Sequence, residues 1–593
     1  MIGTYAAVAA ICVSSLAIGL AAVRLCGGRG WSWLSPAVGL ALLCAICWAT
    51  VRLPGDGVVS AIVVAVLTVA AVGYLRGRIE DGGEALRAGW PVALGALLAA
   101  SLPFIVEGHF GILGTSFNPD MSQHLLAADR LAEGHSSQLL NQGYPLGPHS
   151  IVVALNKGLG VGLVQGFSGL TVAAAILASL TALAAFRELS ALPRTAGALL
   201  VGLTYVAASY LAQGAFKETM QALFLLAFVL ALRESDRDCA ALPLRFVPAS
   251  LIAVGSIYTY SFPSLIWLAP ALILWFLGKG LWAAGGDDRE DSAGRQSPRS
   301  ETGPAARALG LAFAVFAVLT VPELGRMLDF HSFETFDPNG PGLGNLFGQI
   351  SPFEALGIWP SGDYRLAPGD GAVPALGYYL GIAFALGLLV YGVIQLWRRR
   401  ETAILAGLGA AALAYAAARL AGTPYTAAKA IEIAAPLVAL AILLPLSQAS
   451  VVRFMSGMRT KGAPLWLGSA SALFVGAASV CSLLALANAP VGPTSYSSKL
   501  SEFREQVGDG PTLVIASSQL LEEEHGEPFL AWELRGGRVC IQAVDDGKGI
   551  PRGVRFVIQE TKSDWNLMQV TPSPSQSPCP LVAERQARQG PAR

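Results

Sequence analysis

The stretch "SFNPDMSQHLLAADRLAEGHSSQLLNQGYPLGPHS", residues 116–150, interrupts a chain that is otherwise mostly hydrocarbon, and it holds three of the six histidines. On both sides the sequence runs apolar over lengths that suit a bilayer, whose core of roughly 30 Å takes about 20 apolar residues per helix. Such runs lie near 3–24, 33–51, 57–75, 89–106, 164–186, 195–212, 218–232, 246–260, 264–283, 308–324, 374–396, 402–420, 429–447 and 464–489. The expectation is an α-helical polytopic membrane protein of about fourteen transmembrane helices. A chain of 593 residues that is 53% hydrophobic and only 13% charged, with mean hydropathy +0.54, departs from the balance of soluble proteins in the same direction.

Charge orients these runs, because short cytoplasmic loops carry the excess of Lys and Arg. Arg76, Arg78 and Arg87 share one loop; Arg187 and Arg194, then Arg233, Arg237 and Arg245, then 289–307, 397–400, and Arg453 with Arg459 and Lys461 follow on alternate loops. The intervening loops, 107–150, 213–217, 325–373 and 421–428, and the tail after 490, are therefore placed outside. The first apolar run lacks a basic leader and reads as a span with its N-terminus outside. A net charge of zero argues against a nucleic-acid partner. Of eight cysteines, only Cys540 and Cys579 share the oxidising side, where a disulfide between them is open.

Composition divides the chain into additional N-terminal helices (1–88), a main membrane module (89–490) with outer loops 107–150 and 325–373, an extracytoplasmic domain (491–565) and a disordered tail (566–593). The polar run 284–307 reads as a flexible cytoplasmic linker. In the tail, "SSKLSEFREQV" reads as a helix, and "PTLVIASS", "RVCIQAV" and "VRFVIQE" as strands of a small α/β domain. A domain of about 75 residues needs docking or a staple to be stable.

The polar loop carries the candidate chemistry. Asn118 suits an N-cap, Pro119 the first helical position and Asp120 the first turn, so a helix is expected from there to about Glu133. Asp120 and His124 then share one face. Asp120 either complements the helix dipole or, partnered by His124, acts as a general base toward a hydroxyl. Downstream, Tyr144 and Pro145 shape a turn and His149 stands at the re-entry to the membrane. The run 151–162 is too short to span and reads as an interfacial helix.

A polytopic protein with an acid in a large outer loop, followed by an aromatic-Pro-x-Gly-x-His turn and a short interfacial helix, resembles the GT-C glycosyltransferases. The resemblance covers roughly residues 90–450. It implies a polyprenyl-phosphate sugar donor, an extracytoplasmic glycan, lipid or protein acceptor, and Asp120 as catalytic base. Two departures stand out: the acidic loop follows the fourth helix rather than the first, and Asp120 lacks an adjacent acid. No cofactor is required by this reading, and a divalent cation is left open.

Other polar groups cluster at the outer mouth. Lys217 and Glu218 occupy a very short outer turn, as interface anchors or as phosphate ligand and second carboxylate. Arg419, Tyr425, Lys429 and Glu432 mark another mouth, where Lys429 and Glu432 either pair along their helix or the cations Lys429 and Arg419, with Lys217 and Arg365, bind a lipid phosphate. In the second outer loop Trp359 and Tyr364 suit stacking on a sugar, with Asp363 and Arg365 bonding its hydroxyls; His331, Glu334 and Asp337 are weaker candidates. The alternative functions are a lipid-linked saccharide flippase, which wants ionisable groups near the midplane, an oligosaccharide polymerase or ligase, and a non-catalytic scaffold.

Overall fold

The computed structural model describes the chain except residues 29, 80, 115–119, 135–137, 238–242, 285–301, 331–341, 456–465, 493, 495–496, 523–525, 547–548, 562–563 and 572–593. The linker expectation, His331, Glu334, Asp337 and Cys579 fall largely or wholly outside the described residues.

Every apolar run is helical, but they are not equivalent. Among the described residues nine helices are long and apolar enough to cross a membrane, from Ile2–Leu25 to Leu467–Ala487, and a tenth forms if Ala191–Gly202 and Tyr205–Ala212, bent by 52°, count as one span. The expected fourteen thus overstates the number that meet the length rule. Ser35–Thr50 and Val247–Tyr260 are too short, and Phe216–Arg237 carries charges at both ends. The physical reason is burial: all residues of Val247–Tyr260 are shielded by neighbouring helices. A helix lined by protein need not match the thickness of lipid.

Contacts between loops sort into two sets that follow the charge-based sides. On the side assigned to the cytoplasm, Arg24 donates to the Arg78 carbonyl, and Arg233 grips Glu401 through two hydrogen bonds of 2.7 Å. On the other, Ile112–Leu113 pairs antiparallel with Val491–Gly492, so the first outer loop and the tail domain share a side. Gly114 (φ +71°) makes that packing possible, because a Cβ there would lie 2.2 Å from Gln213 Cα.

The tail domain is a four-stranded sheet in the order Arg538–Ala543, Pro511–Ala516, Phe556–Glu560, Trp565–Gln569, with parallel pairing except at the last strand. The last strand goes beyond the sequence-based expectation. The domain is completed by the outer loop itself. Leu126, on helix Met121–Ala132, is buried in one core with Leu500, Phe503, Leu530 and Ile541, so the domain docks by enclosing a side chain of the loop. Truncation of Leu126 to Ala is expected to cost about 2–5 kcal/mol, seen as faster proteolytic release of the region after 490; unchanged resistance would show that docking lies elsewhere.

Candidate functional site

Helix Met121–Ala132 begins one residue after Asp120, which occupies the N-cap position but makes no side-chain cap bond. The helix therefore starts slightly later than expected, and Asn118 and Pro119 lie outside the described residues. With its own helix amides left aside, the Asp120 carboxylate engages the Tyr425 hydroxyl and interacts with Lys429, Lys217 and Glu218. Burial pushes the Asp120 carboxyl above the ordinary carboxylate range; the two lysines oppose that rise without cancelling it.

The two lysines are held differently. Lys429 is buried and forms an ion pair with Glu218, Nζ to Oε1 3.1 Å, with the Tyr425 ring 4.2 Å below its ammonium and the Tyr260 hydroxyl donating to the same Glu218 oxygen at 3.3 Å. The Lys429–Glu432 pair open in the sequence is not formed. Glu432 is wholly buried and its two oxygens have no hydrogen-bond partner among the described residues. Lys217 has no carboxylate within ion-pair distance among the described residues; its ammonium stands 4.0 Å over the Tyr144 ring and 5.7 Å from the Tyr260 ring. Aromatic faces attract a cation without neutralising it. Burial lowers the Lys217 ammonium to about 7, with the nearby Glu218 and Asp120 opposing the fall and Lys429 adding to it, so Lys217 stands beside Asp120 held by rings rather than by an ion pair.

The two histidines of the loop and the re-entry meet each other. His124 Nδ1 lies 3.1 Å from His149 Nε2, and Phe167, Phe216 and Tyr144 surround the pair at centroid distances of 4.9–6.4 Å. Burial lowers both, His149 to about 3 and His124 well below its usual value, where His149 and the lysines add to the effect. Neutral imidazoles fix the loop helix against the interfacial helix Gly147–Leu159.

The second outer loop meets this cluster at one edge. The Tyr364 hydroxyl donates to Gln213 Oε1 at 3.0 Å, and Asn345 Nδ2 donates to the same oxygen at 2.7 Å. Trp359, by contrast, is 1% exposed and meets the Tyr378 ring edge-on at 5.0 Å. Arg365 closes on Asp363 at 2.8 Å. These residues fasten the loop to the helices, as a long outer segment must bury its rings to be ordered, and the expected stacking face of Trp359 is therefore covered. Arg419 lies exposed in the last turn of helix Thr402–Ala421, and no described contact joins it to the lysines. Among the described residues no group of three or more His, Cys, Asp or Glu side chains is arranged to hold a metal ion.

Sequence reading missed Arg326. Its guanidinium donates to the carbonyls of Leu140 (3.1 Å) and Tyr144 (2.7 Å), pairs with Glu323 at 3.7 Å and covers the Trp48 ring at 4.9 Å. It thereby holds the turn that presents the Tyr144 ring to Lys217. A signal was available: Arg326 and Arg52 stand on the outer side, against the charge rule, and a cation there calls for a reason. Replacing Arg326 by Met should free the 140–144 turn and lower turnover about tenfold, in line with misplacement of a cation held from a distance, while Lys supplied at 326 restores little because the two-pronged grip is lost. Steady-state rates of the two variants decide this.

No protein-family model and no curated protein matches the chain. Solved structures do. The archaeal oligosaccharyltransferase AglB of Archaeoglobus fulgidus, in complex with an inhibitory peptide and a dolichol-phosphate, is similar at 14% identity and TM-score 0.43, covering 80% of this chain and 70% of that one. An Archaeoglobus fulgidus oligosaccharyltransferase in the apo form is similar at 13% identity and TM-score 0.45 over 79% and 69%. The enzyme tethered to an acceptor peptide containing the NVT sequon gives 14% and 0.46 over 80% and 69%.

Proposed function

We propose that the protein is a membrane glycosyltransferase of GT-C type that moves a sugar from a polyprenyl-phosphate donor to an extracytoplasmic acceptor, with Asp120 as general base. One observation carries this reading. Segments from three separate regions, 120–149, 216–218 and 425–429, bring together one carboxylate of raised proton affinity, one lysine held by ring faces and one ion-paired lysine under a set of aromatic rings.

The chemistry balances on these groups. The acceptor oxygen attacks the anomeric carbon, the bond from that carbon to the lipid phosphate oxygen breaks, and the hydroxyl proton passes to Asp120. The phosphate departs as an anion, and fixed positive charge at the leaving oxygen is the largest available contribution. Lys217 supplies it directly, and Lys429 does so while holding Glu218 away from the role of second base. Support for an extracytoplasmic site comes from the charge pattern of the loops and from Cys540, which is disulfide-bonded to a partner outside the described residues; disulfides belong to oxidising compartments.

The test is sugar transfer by the purified full-length protein in detergent, with radiolabelled polyprenyl-phosphate sugars as donors and membrane extract as acceptor, with and without EDTA. Transfer that survives EDTA and is lost in Asp120→Asn supports the assignment. Transfer abolished by EDTA gives the leaving-group role to a divalent cation, and binding without transfer from any donor favours a flippase or scaffold.

A further inference from the structure

Lys157 lines two cavities at once. The first is a polar cleft of about 400 Å³ between the end of helix Met121–Ala132 and the tail domain, walled by Asp129, Arg504, Trp532 and Arg535. The second is an apolar groove of about 390 Å³ between helices Ile2–Leu25, Asp56–Leu75 and Gly147–Leu159, walled by Ile11, Val58, Ile62 and Leu155. Val58 and Ile62 are exposed on a candidate span, so the groove opens toward lipid. Lys157 makes no ion pair or hydrogen bond among the described residues. Its stem rests on Gly57, where a Cβ would lie 2.7 Å from Lys157 Cγ.

The cleft holds two polar atoms that nothing among the described residues satisfies. Asp129, 8% exposed, leaves Oδ2 without a hydrogen-bond partner, and Trp532, 2% exposed, leaves Nε1 without one. Buried polar groups are paired as a rule, and a hydroxyl-rich ligand provides both a donor and an acceptor. Apolar groove, free ammonium and unsatisfied polar cleft thus follow one another from the membrane outward.

We infer that this series of sites binds the acceptor, a saccharide carried on a polyprenyl phosphate, with the isoprenoid chain in the groove, the phosphate on Lys157 and the sugars in the cleft. The inference rests on the glycosyltransferase reading and names its acceptor class. Lys157 lies eight residues beyond His149, about 12 Å along the helix, and Asp129 nine residues beyond Asp120, about 13 Å. The second phosphate site is therefore separate from Lys217 and Lys429, at a distance that a short saccharide covers. A protein acceptor would leave the groove without purpose, and an ordinary phospholipid would leave the cleft unfilled. The N-terminal helices, extra to the resemblance, gain a role as two walls of the groove.

The experiment uses the full-length protein in phosphatidylcholine nanodiscs and a diazirine-bearing geranylgeranyl diphosphate N-acetylglucosamine, with peptide mapping after irradiation. The same tail as a free alcohol and as an unglycosylated diphosphate are run in parallel. Expected are adducts within 56–75 and 147–159 for the glycolipid, reduced about fivefold or more by Lys157→Glu, from the usual weight of one basic side chain on an anionic lipid, and likewise by Ile62→Trp, which fills the groove. Both positions are exposed, so both variants should fold. Equal labelling by the alcohol, or labelling that survives both substitutions, overturns the inference by showing an ordinary lipid groove; equal labelling by the unglycosylated diphosphate overturns the part assigned to the cleft. Groove labelling with no sugar transfer under any condition keeps the site and removes the glycosyltransferase reading, whereas transfer without groove labelling does the reverse.

Discussion

Replacing Asp120 by Asn is expected to lower sugar transfer by about 10²–10⁴-fold, the usual contribution of a positioned base, in a protein that remains folded. Asparagine keeps the size of the side chain and an acceptor oxygen for the Tyr425 hydroxyl, and removes only the ability to take a proton. The pH profile gives a second, independent reading. Because burial raises the Asp120 carboxyl, the base is available only above that raised value, and kcat/KM should fall as pH drops through a limb higher than an ordinary carboxylate would give. His124 and His149 are held neutral by burial, His149 down to about 3, so neither adds a limb in the range where histidines usually titrate. Kinetics from pH 4 to 9, measured to follow the order-of-magnitude value of a carboxylate near pH 4, would sink the assignment if the acid limb of the Asn variant, however slow, matched that of the wild type.

The lysines should separate into a kinetic and a structural effect. Lys217→Met removes a cation held by rings rather than by an ion pair, so transfer is expected to fall about 10²–10³-fold, the scale for losing one preorganised group at a developing anion, with a change in stability of about 1 kcal/mol from the lost ring contact. Lys429→Met leaves Glu218 buried and unpaired, which costs about 3–5 kcal/mol when one partner of a buried pair is removed. The double variant Lys429→Met with Glu218→Gln should recover much of that stability and none of the activity. Thermal unfolding alongside single-turnover transfer measures both. A Lys217→Met protein that transfers sugar at the normal rate would place the donor phosphate elsewhere.

The sequence made the helices legible because a run of about 20 apolar residues has few alternatives to a membrane helix, while the assignment of sides rests on the alternation of charge from loop to loop. Asp120, Lys217, Glu218 and Lys429 were each visible as ionisable groups at helix ends, where a reason for their presence is required. Their pairing was not visible. Lys429 had a near candidate in Glu432, three residues along the same helix, yet took Glu218 from another, because which helices adjoin is decided by packing that leaves no periodic mark in the chain. The same holds for Trp359 and Tyr364: composition identifies aromatic loop residues but not whether a ring faces a cavity or closes against Tyr378 or Gln213. Nine or ten of the described helices meet the length rule for a related reason, since hydropathy records transfer to lipid and central helices such as Val247–Tyr260 meet little of it.

The docking of the tail domain around Leu126 also sets an order of events during synthesis. His109 and its hydrogen-bond partner Val491 are 382 residues apart, and at about 5–20 residues per second the ribosome needs roughly 20–80 s to pass from one to the other. Through that interval the loop bearing Asp120 waits with Leu126, the residue that anchors its helix, uncovered. The site is thus completed only when the last region of the chain emerges, so a nascent or truncated protein can be inserted in the bilayer and yet hold no assembled centre.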